Sequence, residues 1–229
     1  MRKPVVDYRT FRLNRIHEPE FAHLKLLLGW VVYIAMFFLT ERLIPLENCY
    51  PVHCFLDDLI PFCEVFLIPY VFWYFLIIIS LGYFLLYNVE NFKRLQIFLT
   101  VCQLVAMVIY MLLPSRQDLR PVEFPRDNFL TQGVAVLYTV DTNTCVCPSM
   151  HVAFSIGMAS VWLKEKSVSL AWRISVVVIA AVICLSTVFL KQHSVVDFFA
   201  ALPLCLLAEW IACGKNYWLP RLRRQAMQK

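Results

Sequence analysis

Charged side chains are scarce in this chain: Asp, Glu, Lys and Arg make up 16% of its 229 residues, against 60% for the apolar types. Soluble domains carry about 25% charge. With a mean hydropathy of +0.65, the composition excludes that class and leaves an integral membrane protein. Glycine occurs only five times. The lack of any internal repeat or low-complexity tract excludes a repeat array, so one bundle is the simplest organisation. A cleavable leader is not legible either, because the first twenty-five residues are polar and charged instead of a short basic stretch running into an apolar one. The first span is therefore expected to be retained.

Long apolar runs are what the chain has in abundance. Residues 65–87, 95–114, 174–190 and 194–213, the last broken only by Asp197 and Glu209, can each cross a hydrocarbon core of about 30 Å as a helix. Residues 26–40 and 152–163 reach that length only if their flanking turns are helical, including Pro148 to His151 for the second. The expected fold is an all-α membrane bundle of about six transmembrane helices over residues 26–213, between basic tails at 1–25 and 214–229.

Charge placement gives an orientation. With six spans, one face collects both tails together with Lys93, Arg94, Lys164, Lys166 and Arg173, which is sixteen of the twenty-one basic residues. The other face holds Arg42, Arg116, Arg120, Arg126 and Lys191. The positive-inside rule then puts both termini in the cytoplasm, with a plasma or inner membrane as the natural setting. The net charge of +5 belongs to edges that lie against anionic headgroups, so the expected partners are membrane lipids and not nucleic acid.

Of nine cysteines, Cys102, Cys184, Cys205 and Cys213 fall in or beside spans, where a thiol packs as a small apolar group. Cys49, Cys54, Cys63, Cys145 and Cys147 fall on the outer side, where a disulfide pinning the first outer segment is one reading and free thiols the other. The spacing of His53, Cys54, Cys145 and Cys147 is not that of a zinc knuckle, and no metal or other cofactor is expected. Residues 47–64 are too polar to span and too apolar for a free loop. A short interfacial helix shaping the entrance to a site fits them, although Asp57 and Asp58 also fit a plain solvated face or helix start.

Chemistry concentrates in two motifs, Cys147-Pro148-Ser149-Met150-His151 and Lys191-Gln192-His193-Ser194-Val195-Val196-Asp197. A titratable side chain at the edge of an apolar span is costly and usually has a partner and a task. His193 and Asp197 are four apart, on one face of a helix that starts near His193. There the carboxylate can take the imidazole Nδ1 hydrogen and leave Nε2 free to attack. Pro148-Ser149 is a good helix entry, with Ser149 as cap, backbone amides directed at an anion, and His151 on the first turn as general acid. Either motif alone is weak; their order, their shared face and the preceding Arg120-Pro121 make them specific together.

At these residues the chain resembles the type 2 phosphatidic acid phosphatase superfamily, the lipid phosphate phosphatases and their phosphotransferase relatives. That family's pattern is a lysine, six residues and Arg-Pro, then Pro-Ser-Gly-His, then Ser-Arg, five residues, His, three residues and Asp. The resemblance implies that Arg120 binds phosphate, Ser149 contributes to the phosphate pocket and His151 assists the leaving group. It implies that His193 becomes a phosphohistidine oriented by Asp197, and Ser186 matches the serine that opens the third motif. Leu113, Met150 and Thr187 depart from the pattern, so two phosphate-binding charges are missing. Lys191 and Arg116 are the expected substitutes, with Arg126 a third. The implied activity is metal-independent hydrolysis of a phosphomonoester or pyrophosphate lipid at the extracytoplasmic face. Met150 in the glycine's place also resembles the inositol phosphorylceramide synthase branch, which moves a phosphorylated headgroup to a lipid alcohol. A lipid-binding or transport relative without catalysis is the remaining alternative.

Overall fold

The computed structural model describes residues 3–226, and they form an all-α bundle. A 3-10 turn, Ala22–Leu27, leads into α1 (Leu28–Leu43). The short α2 (Phe55–Leu59) precedes α3 (Leu67–Tyr87) and α4 (Val89–Leu112). Then come α5 (Phe129–Val140), α6 (Met150–Lys164), α7 (Leu170–Phe189), α8 (Val195–Cys213) and, after a π-helical turn, α9 (Leu219–Ala226). Two-residue strands β1 (Tyr50–Pro51) and β2 (Ser115–Arg116) pair in parallel, Tyr50 opposite Ser115 and Pro51 opposite Arg116.

Local chemistry sets the helix boundaries. The Asn88 side chain accepts from the Asn91 amide and starts α4 one residue after α3 stops, so α4 begins six residues before the apolar run that predicted it. Ser149, Ser169 and Ser194 cap α6, α7 and α8 through their hydroxyls, each satisfying an amide that the helix leaves unpaired. Asn128 and Thr131 form a reciprocal capping box for α5, a helix that none of the six apolar runs predicts.

Helices predicted from five of the six apolar runs are long and apolar enough to cross a membrane: Ala22–Thr40, Glu64–Tyr87, Val89–Leu112, Leu170–Phe189 and Val195–Arg224. The chain is a membrane protein on that ground. The sixth predicted span is α6, whose 15 residues rise only about 22 Å. It packs against α3, α4, α7 and α8, and Val152, Ala153, Phe154, Met158, Val161 and Trp162 are buried. Neighbouring helices surround it, so its length need not match the lipid. Gly157 makes that packing close: a Cβ there would stand 2.5 Å from Cδ1 of Phe98 on α4.

Outward faces remain apolar, with Val31, Ile34 and Phe38 on α1, Ile68, Phe75 and Ile78 on α3, and Leu206 and Trp210 on α8 all exposed. Hydrogen bonds between segments fix which helix ends lie together. The Tyr50 amide donates to Pro114 O, Cys63 to Phe189 O, and Ser149 to Asp197 O. The end of α1, the start of α3, the ends of α4 and α7, and the starts of α6 and α8 therefore share one end of the bundle. All nine cysteines are free, so the first outer segment is held by hydrogen bonds and the strand pair, without the disulfide considered for it.

Candidate active site

The turn between α7 and α8 presents His193. Lys191 adopts a left-handed conformation with φ of 54°, and the amides of Gln192 and His193 both return to Thr187 O at 2.9 and 3.1 Å. Ser194 then opens α8 in a capping box with Asp197. Asp197 Oδ2 lies 3.0 Å from the Ser194 amide and 3.2 Å from His193 Nδ1. One buried carboxylate thus caps the helix and orients the imidazole through Nδ1.

His151 comes to the same place on the first turn of α6. Its ring stacks on Tyr70 at 4.4 Å and lies 4.1 Å from Trp73, both on α3. Its centroid is 5.8 Å from that of His193. His151 Nε2 is buried and has no hydrogen-bond partner in the protein, which in a native interior calls for an explanation such as a bound group. At that centroid separation the two imidazoles can reach a single bound group. Ser149 caps α6 beneath them, fully buried, and its amide donates to Asp197 O at 3.1 Å. The two motif helices are thereby tied at their starts.

The histidines open into a cavity of about 360 Å³, walled by Tyr33, Phe37 and Phe38 of α1, Trp73 and Tyr74 of α3, and Asp141, Thr142 and Gln192 beside the histidines. Tyr70 donates to the Asp141 carboxylate in a short hydrogen bond. The cavity reaches exposed apolar side chains of α1, including Ile34 and Phe38, so it communicates sideways with whatever surrounds the bundle.

The remaining site residues expected from sequence do not line this cavity. Arg120 lies behind its wall, donating through Nη1 to Tyr138 O at 3.0 Å and through Nη2 to Asp141 O and Gln192 Oε1, both at 2.6 Å. Burial lowers its pKa from the usual arginine value, and it remains a cation. Through Gln192 it braces the residue next to His193. Lys191 Nζ is taken by Asp57 O at 2.6 Å and Ile60 O at 2.5 Å, around the end of α2. Arg116 binds Asp118 at 3.0 Å and the carbonyls of Leu46 and Cys49 at 3.0 and 3.1 Å. Arg126 pairs with Glu64 at 3.1 Å. Ser186 is buried in α7 and donates to Ile183 O at 2.6 Å. The structure brings together His151, His193, Asp197 and Ser149; it does not bring Lys191, Arg116 or Ser186 to the cavity.

Asp57, which the sequence left between an entrance element and a plain helix start, proves to be a brace. It is buried, accepts from the Cys54 amide at 2.8 Å, the Ser194 hydroxyl at 2.6 Å and the Val195 amide at 2.8 Å. Burial works against its charge, and these donors outweigh that, leaving its pKa below the usual carboxylate value. Asp58, by contrast, is exposed and pairs with His53 at 2.8 Å. Cys147 lies beside Asp197; burial first, and that carboxylate second, push its thiol up to about 12. Among the described residues no cluster of three His, Cys, Asp or Glu side chains is placed to hold a metal ion. Comparison with known protein families, with curated proteins and with solved structures finds no match for the chain.

Proposed function

We propose that the chain is a membrane enzyme acting on the phosphate ester of a lipid through a phosphohistidine. One observation carries the reading: a histidine oriented through Nδ1 by a buried carboxylate faces a second, unpartnered histidine across a cavity that opens sideways along α1. A protein that only bound a lipid would have no need of an oriented nucleophile opposite a separate acid. The motifs that resemble the lipid phosphate phosphatases supply the same residues in the same roles.

In this mechanism the lipid enters between α1 and α3 with its phosphate toward the histidines. His193 Nε2 attacks phosphorus, and His151 protonates the departing lipid oxygen. The amides at the start of α6 and its positive dipole end stabilise the phosphoryl oxygens. Water, deprotonated by His151, then releases phosphate; a lipid alcohol in the same position would yield a transfer product. The aromatic walls favour the second acceptor because they limit water at the phosphohistidine. The excess of basic residues on the opposite end supports a topology with both termini in the cytoplasm and the site at the extracytoplasmic face.

The test is product release from lipid phosphates by the purified protein in detergent with EDTA, beside His193→Ala. Lipid alcohol release by the unmodified protein alone, with an acid-labile phosphoprotein, is the expected result. Binding without turnover would replace the proposal with a lipid-binding role.

A further inference from the structure

Toward the end of the bundle away from the histidines, a second cavity runs between α6, α7 and α8. Its volume is about 600 Å³, against about 360 Å³ at the histidines. α6 lines it from Ile156 to Lys164, about 12 Å by helix rise, which is most of the depth of one leaflet in a core about 30 Å thick. Its deep walls are apolar, with Ile156, Ala159, Ala181, Leu185 and Phe198 among them. Leu163, Leu185 and Trp218 are exposed, so the groove opens sideways between the helices. Ser160, Lys164, Tyr217 and Trp218 form a polar rim at one end.

Cations gather around that rim. Arg221, Lys164 and Arg94 stand 3.8, 5.2 and 5.6 Å from the centre of the Tyr217 ring, and Arg173 reaches Leu163 O at 3.4 Å. The buried carboxylates nearby are already met. Glu209 takes Lys164 at 2.8 Å, the Ser160 hydroxyl at 2.7 Å and Trp218 Nε1 at 2.6 Å, and Glu165 takes Asn88, Asn91 and Ser167. Glu90 lies 3.7 Å from Arg94, whereas Arg173 and Arg221 enter no ion pair among the described residues. The buried Nε atoms of Arg94 and Arg173 have no hydrogen-bond partner in the protein. Two orphaned guanidinium donors beside one rim call for an acceptor that the chain does not supply. Beyond Glu209 the sequence has no acidic residue, so α9 adds Arg221, Arg223 and Arg224 uncompensated.

We propose that this groove holds one tail of an acidic lipid, with the anionic headgroup against Arg94, Arg173 and Arg221. Apolar walls of nearly leaflet depth take the acyl chain, and the guanidinium groups left without carboxylates take the charge. A zwitterionic lipid has the same tail but brings an ammonium to a rim already in cationic excess, where it is repelled. The site lies at the opposite end of α6 from His151 and does not depend on the phosphohistidine reading. A lipid seated there braces α6, α7 and α8 against one another at that end.

The test is the melting temperature of the full chain, stripped of lipid in a neutral detergent, with phosphatidylglycerol or phosphatidylcholine of identical acyl chains added. At several times its dissociation constant phosphatidylglycerol is expected to raise it by about 2–4 °C, and phosphatidylcholine by roughly half of that or less. Ala181→Phe, at an exposed position in the groove, is expected to abolish both shifts. Arg221→Gln, also exposed, is expected to narrow the difference between the two lipids. Equal shifts from the two lipids overturn the inference. An Ala181→Phe variant that responds as the parent does also overturns it, by placing the lipid elsewhere, such as at the histidines. Inorganic phosphate that reproduces the shift, or no shift with either lipid, as a second copy of the chain covering the groove would give, overturns it too.

Discussion

The Ser194 hydroxyl donates to Asp57 Oδ2 at 2.6 Å across 137 residues of chain, and this bond closes a clamp on the histidine-bearing turn. Lys191 Nζ grips the far side of the same short helix, through Asp57 O and Ile60 O. His193 is therefore bracketed on both sides by one element, α2. Asp57→Ala strands the Ser194 hydroxyl and the amides of Cys54 and Val195, and a buried group so stranded costs about 1–3 kcal/mol. Turnover per folded protein is expected to fall about tenfold or more while KM stays within about twofold, because the variant misplaces the nucleophile and leaves the lipid contacts alone. Steady-state kinetics beside a thermal melt in detergent reads both effects, and unchanged kcat with a lower Tm would reduce Asp57 to a structural residue.

Arg120 spans three acceptors with one planar fork, and lysine cannot reproduce that geometry. Arg120→Lys is expected to cost about 2 kcal/mol of stability and to loosen Gln192, lowering activity. Thermal unfolding and lipid turnover of the variant provide the check. A variant as stable and as active as the parent would mean that a point charge alone suffices there.

Gly157 and Gly82 form an internal control. A side chain at Gly157 meets the Phe98 ring at 2.5 Å, whereas nothing lies within 4 Å of a Cβ added at Gly82. Gly157→Val is expected to destabilise by about 1–3 kcal/mol through overpacking. Gly82→Ala is expected to be neutral or to gain about 0.5–1 kcal/mol from helix propensity. Melting temperatures of the two variants in one detergent decide the matter.

Cys147 should resist alkylation. Its thiol pKa is raised to about 12, so the neutral form persists through physiological pH and the reactive thiolate fraction at pH 8 is lower by about 10³ than for a free cysteine near 8.5. Maleimide labelling at pH 8 followed by mass spectrometry is expected to leave Cys147 unmodified in the folded protein and to modify it after unfolding. Rapid labelling of Cys147 in the folded protein would contradict the burial beside Asp197.

Much of the bundle was legible from composition, because apolar runs of about 17 residues or more have few alternatives to crossing a membrane. The Ser149 cap of α6 and a start of α8 near His193 were equally readable, and with them the approach of His151, His193 and Asp197. The short α5 was not, although Asn128 and Thr131 carried its capping signal, because a 12-residue helix does not stand out in a polar connection. Lys191 and Arg116 show a different limit. Their charges were visible, but whether a cation meets a ligand or a backbone carbonyl depends on which helix ends and strand edges pack nearby. For Asp57 the decisive partner lay 137 residues away, beyond the reach of any local pattern.

In the proposed mechanism the shortness of α6 sets the depth of the site. Lys164, at its last residue, is paired with Glu209 at 2.8 Å and lies under the rings of Tyr217 and Trp218, the residue types that mark a membrane boundary. His151 is thirteen residues away along the helix, about 20 Å by its rise, in a hydrocarbon layer about 30 Å thick. On the proposed reading the two imidazoles accordingly lie ~10 Å below the opposite headgroup plane. A water-soluble phosphate ester would have to leave its hydration shell to descend that far, whereas an ester tethered to acyl chains is already held there by its tails, so immersion itself acts as the filter against soluble competitors.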